Sequence, residues 1–69
     1  MIKRTAIEAE RARLGLTKEG LSRKLGITSR TYRNYLEGGP IPSTKLVEMA
    51  DMFGVTTEYL LGRTQERSA

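Results

Sequence analysis

Four polar side chains that could form hydrogen bonds with the edges of DNA bases fall within six residues of this sequence. The chain reads LGITSRTYRNYLEGG over 25–39, and one face of a helix there would carry Ser29, Arg30, Arg33 and Asn34. Arginine offers a two-pronged donor to O6 and N7 of guanine, and asparagine can accept from N6 and donate to N7 of adenine. The spacing indicates a surface that fits the major groove of double-stranded DNA, and the alternative is an ordinary solvated helix face.

The opposite face of the same predicted helix is apolar. Tyr32, Tyr35 and Leu36 follow the i, i+3, i+4 spacing of a buried stripe. Gly26 ends the preceding helix, so only a short Gly-Ile-Thr turn separates the two, and Ile27 in it would fill the core between them. Two short helices joined this tightly form a helix-turn-helix, in which the second helix is held outward on a buried support.

Turn signals divide the rest of the chain into five predicted helices with no strand alternation, so the fold class is all-α. The first helix spans about Lys3 to Leu14, and the fourth begins near Pro42 or Ser43. The predicted N-caps are Thr17, Thr28 or Ser29, and Thr56. The residues predicted to face the core are Ile7, Arg11, Leu14, Leu21, Ser22, Leu25, Tyr32, Tyr35, Leu36, Leu46, Met49, Ala50, Phe53, Tyr59, Leu60 and Leu61.

Composition narrows the possible functions. The 69 residues suit one small domain, and the absence of Cys and His removes most metal sites and catalytic constellations, so we expect no enzyme and no cofactor. No apolar run approaches the length of a membrane span. Between residues 17 and 34, five basic residues stand against one acid, whereas residues 35–62 carry one basic residue and four acids. This polarity would orient the chain on a polyanion, since phosphate neutralisation needs no particular sequence.

The runs LTKEGLSRKLGITSRTYRNYLEGG and PIPSTKLVEMADMFGVTTEYLLG resemble the lambda-repressor-like helix-turn-helix family of phage Cro proteins, phage repressors and related bacterial regulators. The resemblance covers about Ile7 to Gly62. It implies a compact five-helix domain that binds operator DNA, usually as a two-fold dimer, with the third helix in the major groove. Carried over by position, the resemblance implies DNA contacts from Thr17, Lys18, Thr28, Ser29, Arg30, Arg33 and Asn34.

The sequence departs from that family in ways that bear on the site. Family members often have Gln where this chain has Lys18 and Ser29, so the base preference does not carry over. Many also have a Glu at the position of Leu36, which pairs with the arginine that matches Arg11. Three partners are then open to Arg11, namely Glu37, Glu8 one turn back, or water.

The sequence therefore predicts a sequence-specific transcriptional regulator, a small phage, prophage or bacterial repressor acting in the cytoplasm of a bacterium or a phage-infected host. Its expected partners are an operator in double-stranded DNA and a second copy of the chain, at least on DNA, with no membrane and no small-molecule substrate. Residues 1–62 form the predicted DNA-binding domain, and 63–69 a charged flexible tail. The alternative is a protein-interaction module such as an antitoxin-type helix-turn-helix domain.

Overall fold

The computed structural model describes residues 4–67, which form five α-helices and, within that range, no strand. The helices are α1 (Thr5–Arg13), α2 (Lys18–Leu25), α3 (Ser29–Leu36), α4 (Ser43–Phe53) and α5 (Thr57–Leu60). The predicted all-α, five-helix architecture is confirmed. Helix α1 begins two residues later than predicted, and Lys3 lies outside the described residues. None of the helices between residues 4 and 67 is long and apolar enough to cross a bilayer.

Threonine side chains start three of the helices. The hydroxyl oxygen of Thr17 accepts from the Gly20 amide at 2.9 Å, and that of Thr28 accepts from the Thr31 amide at 3.1 Å. Thr56 caps α5 in the same way. Because each hydroxyl satisfies an amide that the helix itself leaves unpaired, these caps fix where the helices begin.

One core unites the five helices. Its ten buried apolar side chains are Ile7, Leu21, Leu25, Tyr32, Tyr35, Leu36, Met49, Ala50, Phe53 and Leu60. Five predicted core residues are not fully buried: Leu14 is 40% exposed, and Arg11, Leu46, Tyr59 and Leu61 are half-buried. Leu14 lies outside because α1 ends at Arg13, so the stripe that begins at Ile7 does not continue to it.

A carboxylate takes an unpredicted place in the interior. Glu10 is 3% exposed and receives Arg13 at 2.7 Å, two nitrogens of Arg67 at 2.8 and 2.9 Å, and the Tyr59 hydroxyl at 3.2 Å. The hydrogen bonds from Arg67 lower the pKa of Glu10 to about 2, those from Arg13 and Tyr59 add to this, and burial opposes them. Residues 63–67 therefore lie against α1, where the sequence predicts a flexible tail, and the flexibility of that segment in solution stays a prediction.

Candidate nucleic-acid interface

The two central helices are joined by a turn that only a few residues can make. Gly26 follows α2 in the left-handed conformation with φ of 70°, which glycine adopts without steric cost. The amides of Gly26 and Ile27 donate to the carbonyls of Arg23 and Ser22, which closes the end of α2. Thr28 then caps α3 immediately, so α2 and α3 form the predicted helix-turn-helix.

Helix α3 has one buried face and one free face. Tyr32, Tyr35 and Leu36 are at most 5% exposed and fasten the helix to the core, as the sequence predicts. Ser29, Arg30, Arg33 and Asn34 are all exposed. Among residues 4–67, no hydrogen bond or ion pair engages any of these four side chains. They are free to contact an external partner.

The N-terminal ends of α2 and α3 offer a different chemistry. Thr17 and Thr28 are exposed caps, and Lys18 is the exposed first residue of α2. The first amides of each helix have no backbone partner, as at any helix N-terminus, and such amides readily bind phosphate oxygens. Thr28 also donates to the Thr31 hydroxyl at 3.0 Å, so its own proton is engaged within the protein.

Arg11 pairs with Glu8, one of the three partners that the sequence left open. Its Nε donates to Glu8 at 2.6 Å, and its Nη1 donates to the Leu16 carbonyl at 2.6 Å. The same Glu8 carboxylate accepts from the Tyr32 hydroxyl at 2.7 Å and lies 3.6 Å from the Lys18 ammonium. Burial acts to raise the pKa of Glu8, but the hydrogen bonds from Arg11 and Tyr32 outweigh it and the pKa lies below its usual value.

The pKa of the Tyr32 hydroxyl is shifted in the opposite direction from that of Glu8. Burial of the ring, followed by the hydrogen bond to Glu8, raises the pKa of Tyr32. The phenol therefore stays neutral and donates to the carboxylate at any ordinary pH. This links the middle of α3 directly to α1.

Two basic side chains donate hydrogen bonds to carbonyls at the C-terminal ends of α2 and α3, and neither contact was predicted from the sequence. Arg4 donates to the carbonyls of Tyr35 at 2.7 Å and of Gly39, at the C-terminal end of α3. Lys45 of α4 donates to the Leu25 carbonyl at 2.6 Å, at the end of α2. Cations are favourable at helix C-termini because the last carbonyls lack partners there. These two positive charges therefore stabilise the fold.

The loop that follows α3 packs closely against the backbone of that helix. The Gly39 amide donates to the Asn34 carbonyl at 2.8 Å. A Cβ at Gly39 would lie 2.8 Å from that same carbonyl oxygen, which is closer than van der Waals contact allows. Only glycine fits here without a shift of the backbone, so the loop ties down α3 beside its outward residues.

Five short helices with the second and third joined as a helix-turn-helix define a class of small DNA-binding folds. A family model described as Helix-turn-helix matches residues 7–60. The chain belongs to this family, in its lambda-repressor-like branch, and the resemblance noted from the sequence is confirmed. The family is one of DNA-binding regulatory proteins. No curated protein and no solved structure gives a significant match to the chain.

Proposed function

We propose that the protein is a sequence-specific transcriptional regulator that binds an operator in double-stranded DNA through α3 in the major groove. A small repressor of phage, prophage or bacterial origin is the form that we favour. One observation carries the proposal: Arg30, Arg33 and Asn34 extend from α3 without any partner among the described residues, while the other face of the helix is immobilised in the core. These are the side-chain types that discriminate guanine and adenine in the major groove.

Phosphate contacts would come from the two helix N-termini. Thr17, Lys18 and Thr28 lie there, together with amides that α2 and α3 leave unpaired. Contacts of this kind fix the register of a protein on the duplex, and contacts to base edges supply the specificity. The basic residues between 17 and 34 would add sequence-independent affinity.

Repression would follow from occupation of the operator by a two-fold dimer. In such dimers the two recognition helices lie about one DNA turn apart, roughly 34 Å, on one side of the duplex. The segment from Gly38 to Ser43 and the helices α4 and α5 are the surfaces that we assign to the dimer contact. Val47 of α4 supports this assignment, because it is a large apolar side chain that is 49% exposed. A bound dimer would exclude polymerase from the overlapping promoter.

Selection of bound sites from random duplex DNA tests this function. We expect an enriched inverted repeat whose half-site centres are about one helical turn apart. Arg33→Ala should weaken that enrichment, whereas the control Arg63→Ala should not, because Arg63 follows α5 and pairs with Glu58 at 3.4 Å. If no sequence is enriched while the chain is folded, the function is wrong, and an antitoxin-type interaction module becomes the better description.

A further inference from the structure

One carboxylate connects α1 with both helices of the candidate interface, α2 and α3. Glu8 of α1 contacts Arg11 on its own helix, Lys18 at the start of α2, and the Tyr32 hydroxyl in the middle of α3. Its side chain is 18% exposed, so this site lies at the edge of the core. No other described acidic side chain forms ion pairs or hydrogen bonds with both α2 and α3.

The two groups that Glu8 holds have different proposed roles. Lys18 is 58% exposed and would meet phosphate. Tyr32 is 1% exposed and directly precedes Arg33, which would meet a base edge. Phosphate contacts fix the register and orientation of a protein on the duplex, and base contacts then read the sequence in that register. The relative position of Lys18 and α3 therefore bears on discrimination between DNA sequences.

We propose that Glu8 is a specificity-determining positioning residue, which aligns the phosphate-binding start of α2 with the base-reading face of α3 through its contacts with Lys18 and Tyr32. This inference rests on the DNA-binding function proposed above and adds a residue that does not itself touch DNA. Arg11 completes the arrangement, because its second hydrogen bond to the Leu16 carbonyl fixes Glu8 relative to the loop before α2.

The charge of Glu8 has a second effect on the same interface. Its carboxylate lies 3.6 Å from the Lys18 ammonium, so it offsets part of the positive charge offered to phosphate. The Lys18 side chain is 58% exposed and the ion pair is weak, so Lys18 can contact a phosphate oxygen while it stays beside Glu8. Glu8 thus lowers affinity for any duplex, and this charge effect alone leaves the ratio of specific to non-specific binding unchanged.

The experiment compares binding to the selected site with binding to a scrambled duplex at one salt concentration. Glu8→Gln keeps the shape of the side chain but removes its charge. We expect its affinity for the scrambled duplex to rise roughly two- to fivefold, the range of a weak ion pair, and its specificity ratio to fall by at least about that factor. Tyr32→Phe removes only the hydroxyl, so it should lower the specificity ratio and leave scrambled-duplex affinity unchanged.

Glu19→Gln is the matched control. Glu19 is exposed in the first turn of α2, next to Lys18, and has no hydrogen-bond or ion-pair partner among the described residues. This variant should raise both affinities equally and keep the specificity ratio of the wild type. A loss of folding would lower both affinities together, so a change in the ratio separates positioning from stability.

Three results overturn the inference. The first is a wild-type specificity ratio in both Glu8→Gln and Tyr32→Phe. The second is a fall in the ratio for Glu19→Gln as large as that for Glu8→Gln, which would make the effect one of charge alone. If Glu8→Gln does not fold, an unchanged ratio in Tyr32→Phe decides against positioning. A wild-type chain without any sequence preference is a separate result, because it refutes the proposed function together with the role of Glu8.

Discussion

Acidification should destabilise this domain through one buried carboxylate. The pKa of Glu10 is about 2, against an ordinary 4.5 that applies when the chain is unfolded. Because the folded-state pKa is depressed, the stabilisation is fully present above pH 4.5 and is lost as pH falls toward 2. A difference of this size corresponds to about 3 kcal/mol of unfolding free energy. Domains of this length have roughly 3 to 10 kcal/mol in total, so the loss is a large share of it.

The assay is thermal unfolding followed by circular dichroism between pH 7 and pH 2. Glu10→Gln cannot ionise and should be less stable than the wild type at pH 7 by about 3 kcal/mol, which corresponds to roughly 12 to 24 °C in Tm. The difference between the two proteins should shrink as pH falls toward 2. Glu66→Gln is the control, because Glu66 adjoins Arg67 but is exposed and forms no ion pair among the described residues. It should melt like the wild type at pH 7.

The pH dependence of the Glu10→Gln effect decides whether the carboxylate charge is the cause. If the wild type and Glu10→Gln differ by the same Tm at pH 2.5 as at pH 7, the carboxylate charge is not what stabilises the fold. Arg67→Ala provides an independent check. It removes two of the four hydrogen bonds to Glu10 and should reproduce part of the loss at pH 7.

Four further outcomes are expected. Arg33→Ala and Asn34→Ala should each cost about 1 to 3 kcal/mol of binding free energy on the selected site and relax the base preference at one base pair. Lys24→Ala should instead weaken binding to all duplexes equally. Affinities measured for every single-base change in the site distinguish the two effects. Tyr32→Ala should lower the unfolding free energy by roughly 3 kcal/mol or more through its cavity, measured by denaturant titration. Gly39→Ala should cost about 1 to 3 kcal/mol of stability in the same titration, because its Cβ would meet a backbone carbonyl at 2.8 Å. Duplex affinity should fall with salt at a logarithmic slope near 0.9 per phosphate neutralised, and salt-independent binding would contradict the proposed interface.

Local signals in the sequence predicted most of the fold. Glycines at helix ends, threonine caps and apolar residues at helical spacing are short-range features, and all five helices follow from them. The two faces of α3 were predicted for the same reason. Tyr32 and Tyr35 are three residues apart on one face, and Arg30 and Arg33 are three residues apart on the other. Whether the outer residues contact DNA stays a prediction.

Contacts between distant residues could not be predicted in this way. Glu10 and Arg67 are 57 positions apart, and nothing in either local segment indicates that they meet. Glutamate is almost never buried unless it is paired, so without knowledge of its distant partner Arg67 the expectation for Glu10 was a surface position. The spacing of Glu10 three residues after Ile7 was the available signal. Arg4 and Lys45 were likewise missed, because their partners are backbone carbonyls, which every residue has.

The freedom of the outer face of α3 has a consequence for how such a protein can change over time. Ser29, Arg30, Arg33 and Asn34 make no side-chain contact that the fold depends on, and the helix beneath them is anchored by other residues. Substitutions at these four positions should therefore leave the unfolding free energy almost unchanged. A lineage, or an engineer, could exchange the whole set in successive steps without passing through an unfolded intermediate sequence.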